Sequence, residues 1–412
     1  MARNLDVYLH QSLVGELVQD EHGNLGFQYD ASWIQDKQAK PLSQSLPLSP
    51  EPFDRNACQP FFGGILPEAD QRDTIAKNLG ISNKNDFAML EQIGGECAGA
   101  VTLLPSGEPY PTSEYAYQKL DHASLASILR RLPTRPLLAG EDGIRLSLAG
   151  AQVKLAVFRS VEGEIFVPLG GAPSTHIIKP AVKGYESMVL NEAFCMRLAQ
   201  SIKLRTANVE MQQVEGIDYL IVERYDRKAE GNEIIRLHQE DFCQALGKIS
   251  EQKYQNEGGP SLEDCFGLVR NVTTRPIREL PALLDAVLFN FLIGNNDAHG
   301  KNFSLLYDKG LTLTPLYDLV CTVAYPDLAK KMAMKIGSQY EYEKVLPRHF
   351  EAMADEAGLS RSLVRARVGE LASLVLANLD SVQPYDSTVA AIVKQRCEQT
   401  LHRLTQVPQS EV

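Results

Sequence analysis

Gly294-Asn295-Asn296-Asp297-Ala298-His299-Gly300-Lys301-Asn302-Phe303-Ser304, with Pro315-Leu316-Tyr317-Asp318 close behind, is the stretch whose reading decides the fold. It carries an Asp, an Asn five residues later and a second Asp sixteen residues after that, each beside a hydrophobic run able to hold it rigidly. Metal-assisted phosphoryl transfer needs these groups in this order. One carboxylate accepts the proton of the attacking hydroxyl, while an amide oxygen and a second carboxylate hold Mg2+ against nucleotide phosphates. Asn, Asp and Gly also crowd together in any tight turn, so the flanking elements must decide between the two readings.

The flanks favour chemistry. Leu283 to Ile293 is predicted as an apolar helix aimed at the motif, with Leu284, Val287, Leu288 and Phe291 on one stripe. Phe303 to Tyr307 and Leu311 to Thr314 read as a hairpin around Asp308-Lys309-Gly310. That hairpin puts Asn302 just before one strand and Asp318 just after the other, near each other in space. From 345 the pattern is helical to about 405, ahead of a polar tail.

Upstream, strand patterns dominate. Leu5, Val7 and Leu9, then Leu25, Phe27 and Tyr29 after Gly23-Asn24, predict a small antiparallel sheet. Residues 41 to 60, rich in Pro and Ser, are expected to be an irregular surface connection. Pro67 opens a predicted helix through Leu79 with Gly80 as its stop, and Asp86 opens another carrying Phe87, Leu90 and Ile93. Ala100 to Leu104 returns to strand, and residues 105 to 115 are the expected linker. A short helix holds Leu125, Ile128, Leu129 and Leu132 before Pro133 and Pro136. Ile144, Leu146 and Leu148, then Val153, Leu155 and Val157, read as strand, short turn, strand. Ile165 to Val167, His176 to Lys179 and Tyr219 to Glu223 are further strands, with a long helix over 185 to 203. The boundaries expected are 1–110, 111–225 and 226–412.

The composition is that of an ordinary globular chain of 412 residues. Its net charge of -11 argues against a broad direct nucleic-acid footprint, which needs Lys and Arg to replace counterions. No apolar run approaches the roughly 18 to 20 residues that span a bilayer, and the N-terminus lacks a signal-peptide core. Seven scattered cysteines without a C-x-x-C pair read as buried or free thiols in a reducing cytoplasm.

A β-rich half ending a strand in Lys179, and a helical half carrying Asp297, Asn302 and Asp318, divide labour as kinases do: a strand lysine neutralises nucleotide phosphates and the second lobe supplies base and metal ligands. A Lys at a strand end is otherwise merely solvated. Glu192, in the long helix, is a candidate partner for Lys179, set against a solvent-facing helical Glu. Leu148-Ala149-Gly150-Ala151-Gln152-Val153-Lys154 has the small residues that let backbone N–H groups approach phosphate oxygens, with Ser147 just before it. Glu223 and Tyr225 are placed to offer backbone bonds to an adenine edge. His299 is placed to orient Asp297 or touch phosphate.

These residues resemble the HipA toxin kinases of bacterial toxin–antitoxin systems. The resemblance is carried by Ser147 to Lys154, Thr175 to Lys179, Asn191-Glu192, Val222 to Arg227, Gln239 to Gln244, Asn296-Asp297 through Phe303, and Pro315 to Asp318. In the N-terminal region it is carried by Pro41-Leu42-Ser43, Leu46-Pro47-Leu48, Leu66-Pro67, Ile93-Gly94 and Gly99 to Leu103. It implies an α+β, protein-kinase-like two-lobe fold with an added N-terminal subdomain and a mostly helical C-lobe. It further implies a cytoplasmic, ATP- and Mg2+-dependent Ser/Thr protein kinase. Asp297 matches the catalytic base, Asn302 and Asp318 the Mg2+ ligands, and Lys179 the ATP-phosphate lysine. Ser147 matches the serine whose autophosphorylation disables the enzyme by expelling the nucleotide loop. The implied partner is a small helix-turn-helix antitoxin of HipB type, through which operator DNA is contacted indirectly. The implied substrate is a translation protein, an aminoacyl-tRNA synthetase being the leading case, and the effect is growth arrest and persistence. No His-Arg-Asp precedes the base and no Asp-Phe-Gly occurs, so eukaryotic kinase regulation does not carry over. A small-molecule or lipid phosphotransferase is the alternative, because Asp-x-x-x-x-Asn with a later Asp occurs there too.

Overall fold

The computed structural model describes residues 3–111, 115–185, 187–231 and 233–406. The middle of the expected linker, the end of the polar tail and the first two residues lie outside them. The chain divides into two compact units, Met1–Gly184 with Gln212–Ser250 and Leu306–Asp308, and Tyr185–Met211 with Glu251–Leu305 and Lys309–Val412.

The first unit opens with an antiparallel sheet in the order Leu25–Tyr29, Ser12–Gln19, Arg3–Leu9, Val101–Pro105. Leu5, Val7 and Leu9 alternate as the sequence predicts, and all three are buried. The strand Ser12–Gln19 lies between them and Leu25, within the first thirty residues whose alternation predicts the sheet. Gly15 is required there: a Cβ would lie 2.3 Å from the carbonyl oxygen of Gln28 on the neighbouring strand. Helices Ala69–Leu79 and Asp86–Ile93 follow, the first closed by Gly80 in the left-handed conformation and the second capped by the Asn85 side chain on Ala88 N.

Residues 41 to 60 are an irregular surface connection only in their middle, over 47 to 54. Leu42, Ser43 and Leu46 are fully buried, and Arg55–Gly64 is a helix, capped by Asp54 and carrying Phe61 and Phe62 into the core. The Pro and Ser content does exclude regular pairing in the forties, but the Tyr29 hydroxyl replaces it. It donates to Leu46 O at 2.6 Å and accepts from Leu42 N at 2.8 Å, satisfying backbone groups that burial would otherwise strand.

The second sheet runs Ala116–Leu120, Ile165–Leu169, Leu155–Arg159, His176–Pro180, Ile217–Glu223, Val209–Val214. Ala116–Leu120 had no legible signal, since only Leu120 of its residues is buried. The stretch from 144 to 148 is not a strand, contrary to its period of two. Ile144, Leu146 and Leu148 are buried as predicted, but the chain there makes only an isolated bridge, Leu146 with Glu96. Alternation reports one buried face, and a ladder needs partners along the whole segment.

The second unit is mostly helical: Met188–Ser201, Leu262–Val272, Pro276–Ile293, Pro347–Glu356, Arg361–Asn378 and Ser387–Thr405. Pro276–Ile293 is longer than the predicted Leu283 to Ile293. Pro276 suits its first turn, where no intrahelical donor is needed. Glu192 is buried, so it is not a solvent-facing helical residue.

Candidate active site

The helix Pro276–Ile293 delivers the motif by a sharp exit. Gly294 takes φ +77°, and a Cβ there would lie 2.6 Å from the Val323 side chain. Buried Arg396 donates to Phe291 O at 2.6 Å and Leu292 O at 3.3 Å, satisfying the last carbonyls of the helix and complementing its dipole. Arg396 is itself held over the Tyr342 ring, 3.6 Å from the centroid.

Beyond Gly294 the polar side chains lock one another. Asn295 donates to Asn290 Oδ1 at 2.7 Å and accepts from Asp297 N at 3.2 Å. Asn296 N donates to Thr322 Oγ1 at 2.8 Å. Asn302 Nδ2 donates to Asp318 Oδ2 at 3.0 Å, while Asn302 Oδ1 accepts from His299 N at 3.1 Å. The structure therefore brings Asn302 and Asp318 together, as the intervening hairpin predicts. Ser304–Tyr307 and Leu311–Leu313 are its strands, and Thr314 N donates to Ser304 O at 3.0 Å. Asp318 adopts φ +59°, a left-handed conformation that costs a non-glycine residue energy and is characteristic of functional sites. Asp297 is exposed at the head of this turn, Asn302 and Asp318 are half-buried, and His299 is buried. Tyr254, which sequence reasoning did not single out, donates to Asp297 Oδ1 at 2.6 Å. The Gly258-Gly259-Pro260 run marks a turn close by, but nothing local links that turn to Asp297.

In the first unit, Ser147 is fully buried and donates to Ile65 O at 3.1 Å. Leu148 is buried, whereas Ala149 and Gly150 are half-buried and Ala151 exposed. Gly150 has φ +103° and its carbonyl accepts from Glu68 N at 3.2 Å. Lys154 Nζ donates to Ala149 O at 2.7 Å, closing the loop on itself across Gln152. Leu155 pairs with Ile178, so the loop exit and Lys179 lie at the same end of two adjacent strands. Lys179 is buried, opposite Leu220, rather than solvated at a free strand end.

Glu223 is exposed and closes its strand opposite His176, and the half-buried Tyr225 donates its hydroxyl to Gln239 Oε1 at 3.0 Å. Around them is a buried ion network that the sequence did not reveal. Arg224 meets Glu96 at 3.1 Å and Asp226 at 2.8 Å, and Arg227 meets Glu96 at 2.6 Å and Asp226 at 2.9 Å. Burial would raise the Glu96 carboxyl, but the two guanidiniums outweigh it and hold it at about 2.

Two stretches match family models: residues 5–104 the HipA N-terminal domain, and residues 146–379 the HipA-like C-terminal domain. The chain belongs to the HipA family. A relative named as a kinase, Y4mE of Sinorhizobium fredii, is 48% identical over 375 residues, covering 90% of this chain and 89% of its own. The Shewanella oneidensis serine/threonine-protein kinase toxin HipA is 30% identical over 437 residues, 99% of this chain and 98% of that one. The solved structure of the Shewanella oneidensis HipA, HipB and operator DNA complex matches with a TM-score of 0.82 at 30% identity, covering 97% of this chain and 96% of that one. The fold is accordingly the kinase-like α+β fold of HipA, β-rich in one unit and helical in the other. Among the described residues no helix is long and apolar enough to cross a membrane.

Proposed function

We propose that this HipA-family chain is the toxin of a toxin–antitoxin module, an ATP-dependent Ser/Thr protein kinase. The observation that carries the reading is the pairing of Asn302 with Asp318 at 3.0 Å beneath the turn that presents Asp297. The identity to a Ser/Thr kinase toxin along 99% of the chain supports it.

Asp297 accepts the proton of the attacking serine hydroxyl as that oxygen bonds to the γ-phosphorus and the bond to ADP breaks. Lys179 holds phosphate charge, and the backbone of Leu148 to Gln152 cradles phosphate oxygens. Glu223 and Tyr225 offer main-chain groups to the adenine. Asn302 and Asp318 fit Mg2+ by residue type, one amide and one carboxylate whose side chains meet at 3.0 Å; here the amide nitrogen faces Asp318 and Oδ1 accepts from His299 N, so the amide turns over to offer its oxygen to an ion that completes its shell with phosphates and water. Bound there, the ion supplies neutralisation of charge on the nucleotide phosphates. Ser147 is the inhibitory autophosphorylation site. The neutralising partner is a helix-turn-helix antitoxin of HipB type that carries the module to operator DNA for autorepression, in keeping with the net charge of -11. The substrate class is a translation protein, foremost an aminoacyl-tRNA synthetase, and its modification arrests growth.

Incubation with Mg-ATP followed by intact-mass analysis and site mapping tests this reading. One phosphate on Ser147 in the wild type, absent from Asp297→Asn, is the expected result. A wild type that modifies neither itself nor any protein but consumes ATP with a small molecule or lipid would overturn it. Phosphoproteomics after brief induction identifies the substrate.

A further inference from the structure

Tyr254 touches the base-bearing turn directly, yet it belongs to none of the motifs that point to phosphoryl transfer. Besides its 2.6 Å bond to Asp297 Oδ1, its ring meets the His299 imidazole edge to face, 5.3 Å between centroids. The Lys253 ammonium lies 5.6 Å from the ring centroid. The backbone around it is clamped on both sides. Gly300 N donates to Lys253 O at 3.4 Å, Gln255 N to Ala333 O at 3.0 Å, and Glu257 N and Gly259 N both to Tyr254 O at 2.9 Å. Lys335 N donates to the Gln255 side chain at 2.9 Å. A Cβ on Gly259 would lie 2.2 Å from Gln252 O, so the turn is closely packed as well as hydrogen-bonded. A phenol mounted this way is a fixed donor and not a swinging gate.

We propose that Tyr254 is a positioning residue for phosphoryl transfer: its hydroxyl pins the Asp297 carboxylate so that the base presents one defined face to the incoming hydroxyl. The proposal rests on Asp297 being the base. An exposed carboxylate rotates readily about its last torsion, and a general base works only within hydrogen-bond reach of the proton it takes. Misplacement by about 1 Å costs on the order of a hundredfold in rate. A neutral phenol is suited to this task, because a Lys or Arg in its place would bind the carboxylate as an ion pair and compete with the substrate proton. Tyr254 keeps its own proton throughout, and the proton lost by the substrate goes to Asp297.

The test compares the full-length wild type with Tyr254→Phe, Asp297→Asn and the double variant, using Mg-ATP and dephosphorylated casein as the serine-bearing probe. Tyr254→Phe keeps the ring against His299 and removes only the hydroxyl. It is expected to lower kcat by about ten- to a hundredfold while KM for ATP and casein stays unchanged, the mark of an interaction used only in the transition state. In single-turnover measurements the double variant should be no slower than Asp297→Asn, because Tyr254 acts through that carboxylate. A wild-type kcat in Tyr254→Phe, a loss confined to KM, or multiplicative losses in the double variant would each overturn the proposal. Full activity in Asp297→Asn instead overturns the assignment of the base, whatever Tyr254→Phe does. A wild type that phosphorylates neither casein nor itself overturns the kinase reading.

Discussion

Phosphorylating Ser147 should unseat the loop from Leu148 to Lys154, and the structure sets the scale of the effect. The Ser147 hydroxyl is fully buried on Ile65 O, and its backbone N–H donates to Glu96 O at 2.9 Å. Leu146 and Leu148 on either side are 1% and 5% exposed. Seating the segment therefore gains a side-chain hydrogen bond worth about 1 kcal/mol and two leucine burials of roughly 2 kcal/mol each, together about 5 kcal/mol. A charge left in that site without a partner costs several kcal/mol per unit. A phosphate close to dianionic exceeds what seating supplies, and the segment leaves. An aspartate lies near the balance point. The expected series, by calorimetry with Mg-ATP, is near wild-type affinity for Ser147→Ala, a loss of about tenfold or more for Ser147→Asp, and a loss of over a hundredfold for the phosphorylated protein. Hydrogen exchange should show Leu146 to Val153 deprotected in the same order. Phosphorylated protein that binds Mg-ATP as tightly as the wild type would refute the reasoning, since it would mean that the buried site accommodates the charge.

Three further outcomes are expected. Glu96→Ala leaves two buried guanidiniums, Arg224 and Arg227, sharing the Asp226 carboxylate, so the first unit should lose about 3–5 kcal/mol, read from urea unfolding. The Glu240 carboxyl is pushed up by burial to about 7 from 4.5, only partly offset by hydrogen bonds from Ser43, Tyr307 and Gln44 N. Its folded value lies above its unfolded one, so its contribution is complete below about pH 4.5 and is lost as pH rises through about 7. Glu240→Gln should flatten that decline in unfolding free energy, on the order of 3 kcal/mol across the window, read from urea unfolding at a series of pH values. Glu96 has the opposite sign: its folded value of about 2 lies below 4.5, so its stabilisation is present above about pH 4.5 and is lost as pH falls through 2. Lys179→Met should raise KM for ATP; unchanged ATP kinetics would count against Lys179 as a phosphate contact.

Local chemistry was legible in the sequence wherever the residues that act together are close in the chain. Asn302 and Asp318 are joined by one hairpin, so the pattern of two short strands and a turn was enough to predict that they meet. The same holds for the helix stop at Gly80, which is settled within a few residues. Tertiary structure alone decided the rest. Ile144 to Leu148 alternates like a strand yet has no ladder, because pairing depends on what lies alongside. Leu42 and Leu46 sit in a stretch with loop composition and are buried because the Tyr29 hydroxyl, from a different strand, satisfies their backbone. Glu96 joins Arg224 and Arg227, and Tyr254 reaches Asp297, across separations that no periodicity encodes. Burial and hydrogen bonding act between neighbours in space, so a sequence can name which residues carry the chemistry but not which distant side chains hold them in place.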